Sequence, residues 1–298
     1  MKIGYPCINW SMDCRGNKTF RLKSYSEERL IDTVENNLDC LEEMLRYNIE
    51  HDMLFFRITS DLVPFASHKI NEFDWQSYFE ERFGEIGKLI NKNDIRISMH
   101  PDQFIVLNST KDDVVERSIA ELDYHADVLN LLGLDSTHKI QLHVGGVYGD
   151  KRKSKDRFVR RYDQLDEKIK KRLVIENDDT SYTLKDCLDI NKMCGIPILF
   201  DTFHHQVNNS GEEISEALRS VSETWDGKDG LPMIDYSSQE PDEKEGKHAE
   251  SIDEVDFRKF IKLSKPYDFD IMLEIKDKEK STLKAVDIIS SDDRFVQD

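Results

Sequence analysis

The run Leu173 to His205, LVIENDDTSYTLKDCLDINKMCGIPILFDTFHH, limits this chain more than any other and holds two copies of one plan. Each copy is a short run of branched apolar residues, Leu173 to Ile175 and then Ile196 to Phe200. Each ends in cation-binding groups: Glu176 to Asp179 in the first, Asp201 with His204 and His205 in the second. Between them Thr183 to Cys194 has helical spacing, with Leu184, Cys187, Leu188 and Met193 on one side and Gly195 as a stop. That pattern predicts a βαβ unit. A strand apolar on both faces is buried in a parallel sheet, so a carboxylate at its end marks the place where such folds put ligands and catalysis.

The same beat of strand, polar cluster and helix runs along the rest of the chain. Strands are predicted at Lys2 to Ile8, Met53 to Ile58, Ile95 to Met99, His138 to Leu142, Leu231 to Ile234 and Asp270 to Leu273. Helices are predicted at Tyr25 to Asn48, Trp75 to Asn91, Val114 to Leu132, Arg157 to Arg172, Glu212 to Thr224, Val255 to Leu263 and Leu283 to Ser290. About eight strand and helix pairs in 298 residues, with no linker to split them, predict an α/β fold: a single-domain (β/α)8 TIM barrel over residues 1–298.

Neither a targeting segment nor a membrane span is visible, and the chain reads as cytoplasmic. Cysteines 7, 14, 40, 187 and 194 include no CxxC pair, and their odd number argues for reduced thiols. A net charge of −18 argues against nucleic acid in bulk. Charge distribution can override the sum: Lys151 to Arg161, KRKSKDRFVRR, carries seven basic residues against Asp156. A phosphate-contact patch and a solvated helix face explain that run equally well.

At the carboxyl-end mouth of such a barrel His100, His143, Glu176, Asp201, His204, Asp235, His248 and Glu274 would converge. Singly, each has a plainer use as a half-buried histidine or a turn cap. Six successive strand ends carrying metal-ligand types point instead to divalent ions. Mixed imidazole and carboxylate suits Mn²⁺, Zn²⁺ or Fe²⁺ better than Ca²⁺, and eight ligands imply two or three ions, with Glu176 and Asp201 placed to bridge. Clustered ions ionise water near neutral pH and neutralise both oxygens of an in-line phosphoryl displacement, which fits phosphodiester hydrolysis. The same hardware polarises sugar carbonyls, so a sugar isomerase or epimerase stays open. A glycosidase built on Glu176 and Glu274 would leave four histidines without a task.

Several blocks together resemble the UV damage endonucleases along nearly the whole chain: Gly4 to Cys7 with Asn9, Arg57-Ile58 with Pro64 to His68, Ser98 to Pro101 with Gln103, and His143 with Gly145 to Gly149. So do Glu176 to Asp178, Asp201 with His204-His205, Ser237 to Gln239, His248, and Met272 to Glu274 with Lys276. That family is a TIM-barrel relative of endonuclease IV. The resemblance implies nicking of double-stranded DNA on the 5′ side of cyclobutane dimers and 6-4 photoproducts, leaving a 3′ hydroxyl, with Mn²⁺-type ions; Zn²⁺, Mg²⁺ or Co²⁺ are alternatives. It implies His100, His143, Glu176, Asp201, His204, His248 and Glu274 as ligands, with Glu176 and Glu274 at the heart of catalysis. Tyr5, Asn9 and His68 would meet the scissile phosphate or the lesion, and Gln103 and Phe104 would wedge into the duplex; apart from the resemblance, the basic run offers Lys151, Arg152 and Lys153 as the expected phosphate contacts. A photoproduct stacks and pairs poorly, which lowers the cost of flipping it out. The partner expected is damaged DNA, with no membrane and a monomeric chain.

Three positions depart from that pattern. Phe104 stands where relatives carry Tyr, Asp235 where they carry a ligand His, and Met233 where they carry a modifiable Lys. An abasic-site endonuclease would share the ions but need no room for two crosslinked bases.

Overall fold

Eight short strands pair in parallel and in chain order, and β8 closes on β1: a (β/α)8 barrel, seen in a computed structural model that describes residues 1–297. They are β1 Ile3–Pro6, β2 Phe55–Ile58, β3 Arg96–Met99, β4 Lys139–His143, β5 Leu173–Glu176, β6 Ile198–Asp201, β7 Met233–Tyr236 and β8 Asp270–Leu273. The helices are α1 Glu27–Glu50, α2 Trp75–Lys92, α3 Asp112–Leu131, α4 Lys151–Asp163, α5 Glu167–Lys170, α6 Leu184–Cys194, α7 Thr202–Val207, α8 Ile214–Ser222, α9 Glu254–Leu263 and α10 Glu279–Ile289. Side-chain caps start many of them: Ser26, Asp74, Asp150 and Asp253 each accept a backbone N–H, and Thr183 with Asp186 forms a capping box before α6. Gly195 ends α6 in the left-handed conformation, φ 75°, as its position predicts.

Alternation along the strands sorts the barrel interior into layers. Nearest the amino-terminal end lie ion pairs, Arg96 to Asp270 at 2.7 Å and Lys139 to Asp229 at 2.5 Å. Above them Phe55, Val174, Leu199, Met233 and Met272 form a closed apolar plug, separate from the larger core between barrel and helices. Two residues further along those same strands stand Arg57, Glu176, Asp201, Asp235 and Glu274. The plug is a dry floor, and the charged set sits on it.

Three expectations change. The helical slot predicted at Arg157 to Arg172 is filled by α4 and the single turn α5, because Asp150 caps the basic run and makes it a helix itself. The seventh strand lies two residues later than predicted, with Pro232 just before it. Cys14 and Cys40 are joined in a disulfide, Cα atoms 5.6 Å apart, which corrects the expectation of reduced thiols. The loop after β1 folds back on α1, where Asn36 and Asn37 hydrogen-bond its backbone at Arg15 and Lys18. Spacing in the sequence does not announce that approach. Among the described residues no helix is long and apolar enough to cross a membrane.

Gly4 shows how closely the barrel is wound, since a Cβ there would fall 1.4 Å from the Phe55 carbonyl oxygen. Gly84, inside α2, has nothing within 4 Å. Gly4→Ala should therefore cost at least about 3 kcal/mol, because the obstacle is backbone, whereas Gly84→Ala should gain roughly 0.5–1 kcal/mol through helix propensity. Urea denaturation of both variants checks the opposite signs.

Candidate metal centre at the barrel mouth

Every sequence-predicted ligand arrives at one rim. The imidazoles of His100, His143, His204 and His248 follow one another with ring centres 5.2, 6.2 and 6.0 Å apart. His100, His143 and Glu176 bring ligand atoms within 4.8 Å of one another, and so do Asp201, Asp235 and Glu274.

Hydrogen bonding sets which nitrogen three of the rings offer. Nδ1 of His100 donates to the Pro101 carbonyl (2.7 Å), Nδ1 of His204 to the Asn177 carbonyl (3.1 Å) and Nδ1 of His248 to the Glu274 carbonyl (2.9 Å). A proton fixed on Nδ1 leaves Nε2 as the free donor of electrons, the arrangement that metal-binding histidines use. Glu176 Oε1 then lies 3.2 Å from His100 Nε2 and 2.7 Å from His143 Nε2. Two lone pairs on neighbouring atoms repel unless a cation, proton or metal, lies between them. The donor set fits divalent ions.

Charge follows the same logic. Burial alone would lower the His143 pKa, but Glu176 outweighs it and lifts the ring to about 9. Burial would raise Glu176, yet the two imidazoles hold it well below the usual carboxylate range. Asp201 is pushed up to about 6 by burial, with His204 opposing the rise. Burial also works to raise Glu274, and Arg57 brings it down to about 2.

Two polar residues that sequence reasoning gave no role complete the rim. Gln141 Nε2 donates to Glu176 Oε2 (2.7 Å) and Asp235 Oδ2 (2.8 Å). Arg57 Nη2 reaches both Asp235 oxygens, at 2.7 and 2.8 Å, while its Nη1 holds Glu274. Burial pushes the Asp235 carboxyl up and Arg57 opposes that; the paired form follows from the geometry, since one Nη2 serves both oxygens. The available signal was a charged or amide residue inside each short apolar strand, FFRI and KIQLH. Met233 belongs to the plug below Asp235 and offers the rim nothing.

The other predicted contacts divide. Tyr5 is fully buried, its hydroxyl donating to Asn48 Oδ1 (2.7 Å) and accepting from the equally covered Asn9 (2.9 Å), so neither presents a free atom at the surface. His68, Gln103 and Phe104 line one cavity of about 970 Å³ together with Val114, Arg117 and Tyr148. Phe104 is 72% exposed. In α4, Lys151 pairs with Asp186 at 2.8 Å and Lys153 with Asp150 at 3.1 Å, leaving Arg152 and Lys153 on the exposed side.

A closed (β/α)8 barrel with an imidazole and carboxylate rim has the architecture and the donor set of a TIM-barrel enzyme fit for divalent ions. Comparison with known proteins narrows the class. The family described as UV-endonuclease UvdE matches residues 1–296, and the chain belongs to that family. A UV DNA damage endonuclease of Clostridium perfringens is 39% identical over 288 residues, covering 96% of this chain and 70% of that one. The crystal structure of SacUVDE superposes with a TM-score of 0.94 at 46% identity, covering 99% of both chains. Endonuclease IV from Thermus thermophilus, at 14% identity and a TM-score of 0.55 over 84% of this chain and 93% of that one, shares the fold alone.

The raised His143 gives a pH dependence with a definite sign. Its folded pKa of about 9 exceeds the 6.5 of a free ring, so its stabilisation is complete below 6.5 and is lost as pH rises through 9. Chelator-treated protein should thus unfold at lower urea as pH rises across that window, and His143→Gln should flatten the decline. An unchanged slope in the variant would contradict the assignment.

Proposed function

We propose that this chain hydrolyses the DNA backbone immediately 5′ of cyclobutane pyrimidine dimers and 6-4 photoproducts, using divalent ions held at the barrel mouth, with Mn²⁺ first among them. One observation carries the reading: in a chain of the UV-endonuclease family, the four imidazoles, Glu176, Asp201 and Glu274 share one rim. Bound there, divalent ions supply ionised water near neutral pH and offset charge on the attacking and leaving oxygens.

The chain's own residues do the rest. Pro101, Asn177 and the Glu274 carbonyl aim three imidazoles by fixing their Nδ1 protons. Gln141 orients Glu176, whose two oxygens thereby face different partners. Phe104 supplies an exposed aromatic face that can take the place of extruded bases in the stack, next to the cavity it shares with His68 and Gln103. Tyr5 and Asn9 act beneath the rim as a buried pair anchored to Asn48, as positioning rather than contact residues. Arg152 and Lys153 on α4 serve as backbone-phosphate contacts.

The decisive assay incubates the Mn²⁺-loaded protein with matched duplexes carrying a cyclobutane dimer, an abasic analogue or no lesion. Cutting is expected 5′ of the dimer. Cutting of the abasic duplex alone would favour an abasic-site nuclease, and cutting of none would end the nuclease reading. Glu176→Gln should lower turnover at least about a hundredfold, the cost of disturbing a metal ligand set. Phe104→Ala should cut the preference for damaged over intact duplex about tenfold, within the worth of one stacked base, while leaving Mn²⁺ affinity unchanged by calorimetry.

A further inference from the structure

Asp235 stands where a ligand was expected, yet its carboxylate is already engaged. One oxygen accepts from Arg57 Nη2 at 2.7 Å; the other accepts from the same nitrogen at 2.8 Å and from Gln141 at 2.8 Å. Both partners are buried, Asp235 1% and Arg57 3% exposed. Arg57 shares its other Nη with Glu274, itself an expected ligand, and its Nε has no partner. A guanidinium does not give up its proton, so an ion bound by Asp235 would compete with a fixed buried cation for the same two oxygens and leave Arg57 only the one oxygen of Glu274. Gln141 adds to this, because it presents an N–H, not a lone pair, toward the same oxygen.

We propose that Arg57 is a resident cation of the mouth, the counter-ion of Asp235, so that Asp235 is not a metal ligand and the site takes two divalent ions rather than three. The ligands left are His100, His143 and Glu176 on one side, and Asp201, His204, His248 and Glu274 on the other. Glu274 joins that set because Arg57 holds only one of its oxygens. Four carboxylates with one neutralised by Arg57 leave three negative charges, which two divalent ions more than balance. The inference rests on the metal site of the nuclease reading and concerns how that site is filled.

Ion counting tests it without DNA. Protein saturated with Mn²⁺, freed of excess and analysed by native mass spectrometry and by elemental analysis should carry two ions per chain. Asp235→Asn, close in shape, should still carry two, with each affinity within about threefold of the parent; a ligand would cost one ion or 10–100-fold in affinity. Arg57→Met should gain an ion at the freed Asp235, and the Arg57→Met/Asp235→Asn double variant should return to two. A gain followed by a return is not what a merely structural role would give. Three ions on the parent protein, or loss of one in Asp235→Asn, would overturn this inference and leave the nuclease reading standing. No ions on the parent would overturn both.

Discussion

Four carboxylates crowded on the dry floor of a closed barrel repel one another, and everything at the mouth answers that repulsion. Glu176, Asp201 and Asp235 are buried, where an unpaired charge is costly. The protein meets part of the demand itself, with Arg57 between Asp235 and Glu274 and with imidazoles against Glu176 and Asp201. The remainder suits divalent cations, because His100, His204 and His248 have their Nδ1 protons tied to backbone carbonyls, which leaves each Nε2 free to bind.

The barrel supplies the rigidity this needs. Alternation puts Phe55, Val174, Leu199, Met233 and Met272 directly beneath Arg57, Glu176, Asp201, Asp235 and Glu274, so each charged side chain stands on a packed apolar one from its own strand. A floor of that kind excludes water from below and strengthens the electrostatics above it. It also bears on DNA. At a net charge of −18, with α4 lysines partly spent on Asp150 and Asp186, the chain has little general attraction for a polyanion. On the proposed reading, ions held at the mouth would join the recognition, and the exposed Phe104 would add stacking that needs no charge.

The fold was legible because its signals are local. Branched runs of strand length ending in Glu176 or Asp201, and stop signals such as Gly195, gave strand order, helix slots and the rim together. What escaped depends on the third dimension. Arg57 and Gln141 lay within predicted strands without a role, since only closure of the barrel brings β2 and β4 across to β7 and β8. Tyr5 and Asn9 sit on the expected strand and its exit, but α1 covers them through Asn48, a contact more than thirty positions away. The Cys14–Cys40 bridge likewise follows from a loop returning to a helix. Local pattern places a residue on a rim; it does not say which neighbour will claim it.

The proposed chemistry requires this rim to gather divalent cations between its imidazoles and carboxylates. Anomalous diffraction from Mn²⁺-soaked crystals tests it most directly. Peaks are expected within coordinating distance of His100, His143 and Glu176, and of Asp201, His204 and Glu274. Saturating Mn²⁺ with no anomalous peak at the barrel mouth would contradict it.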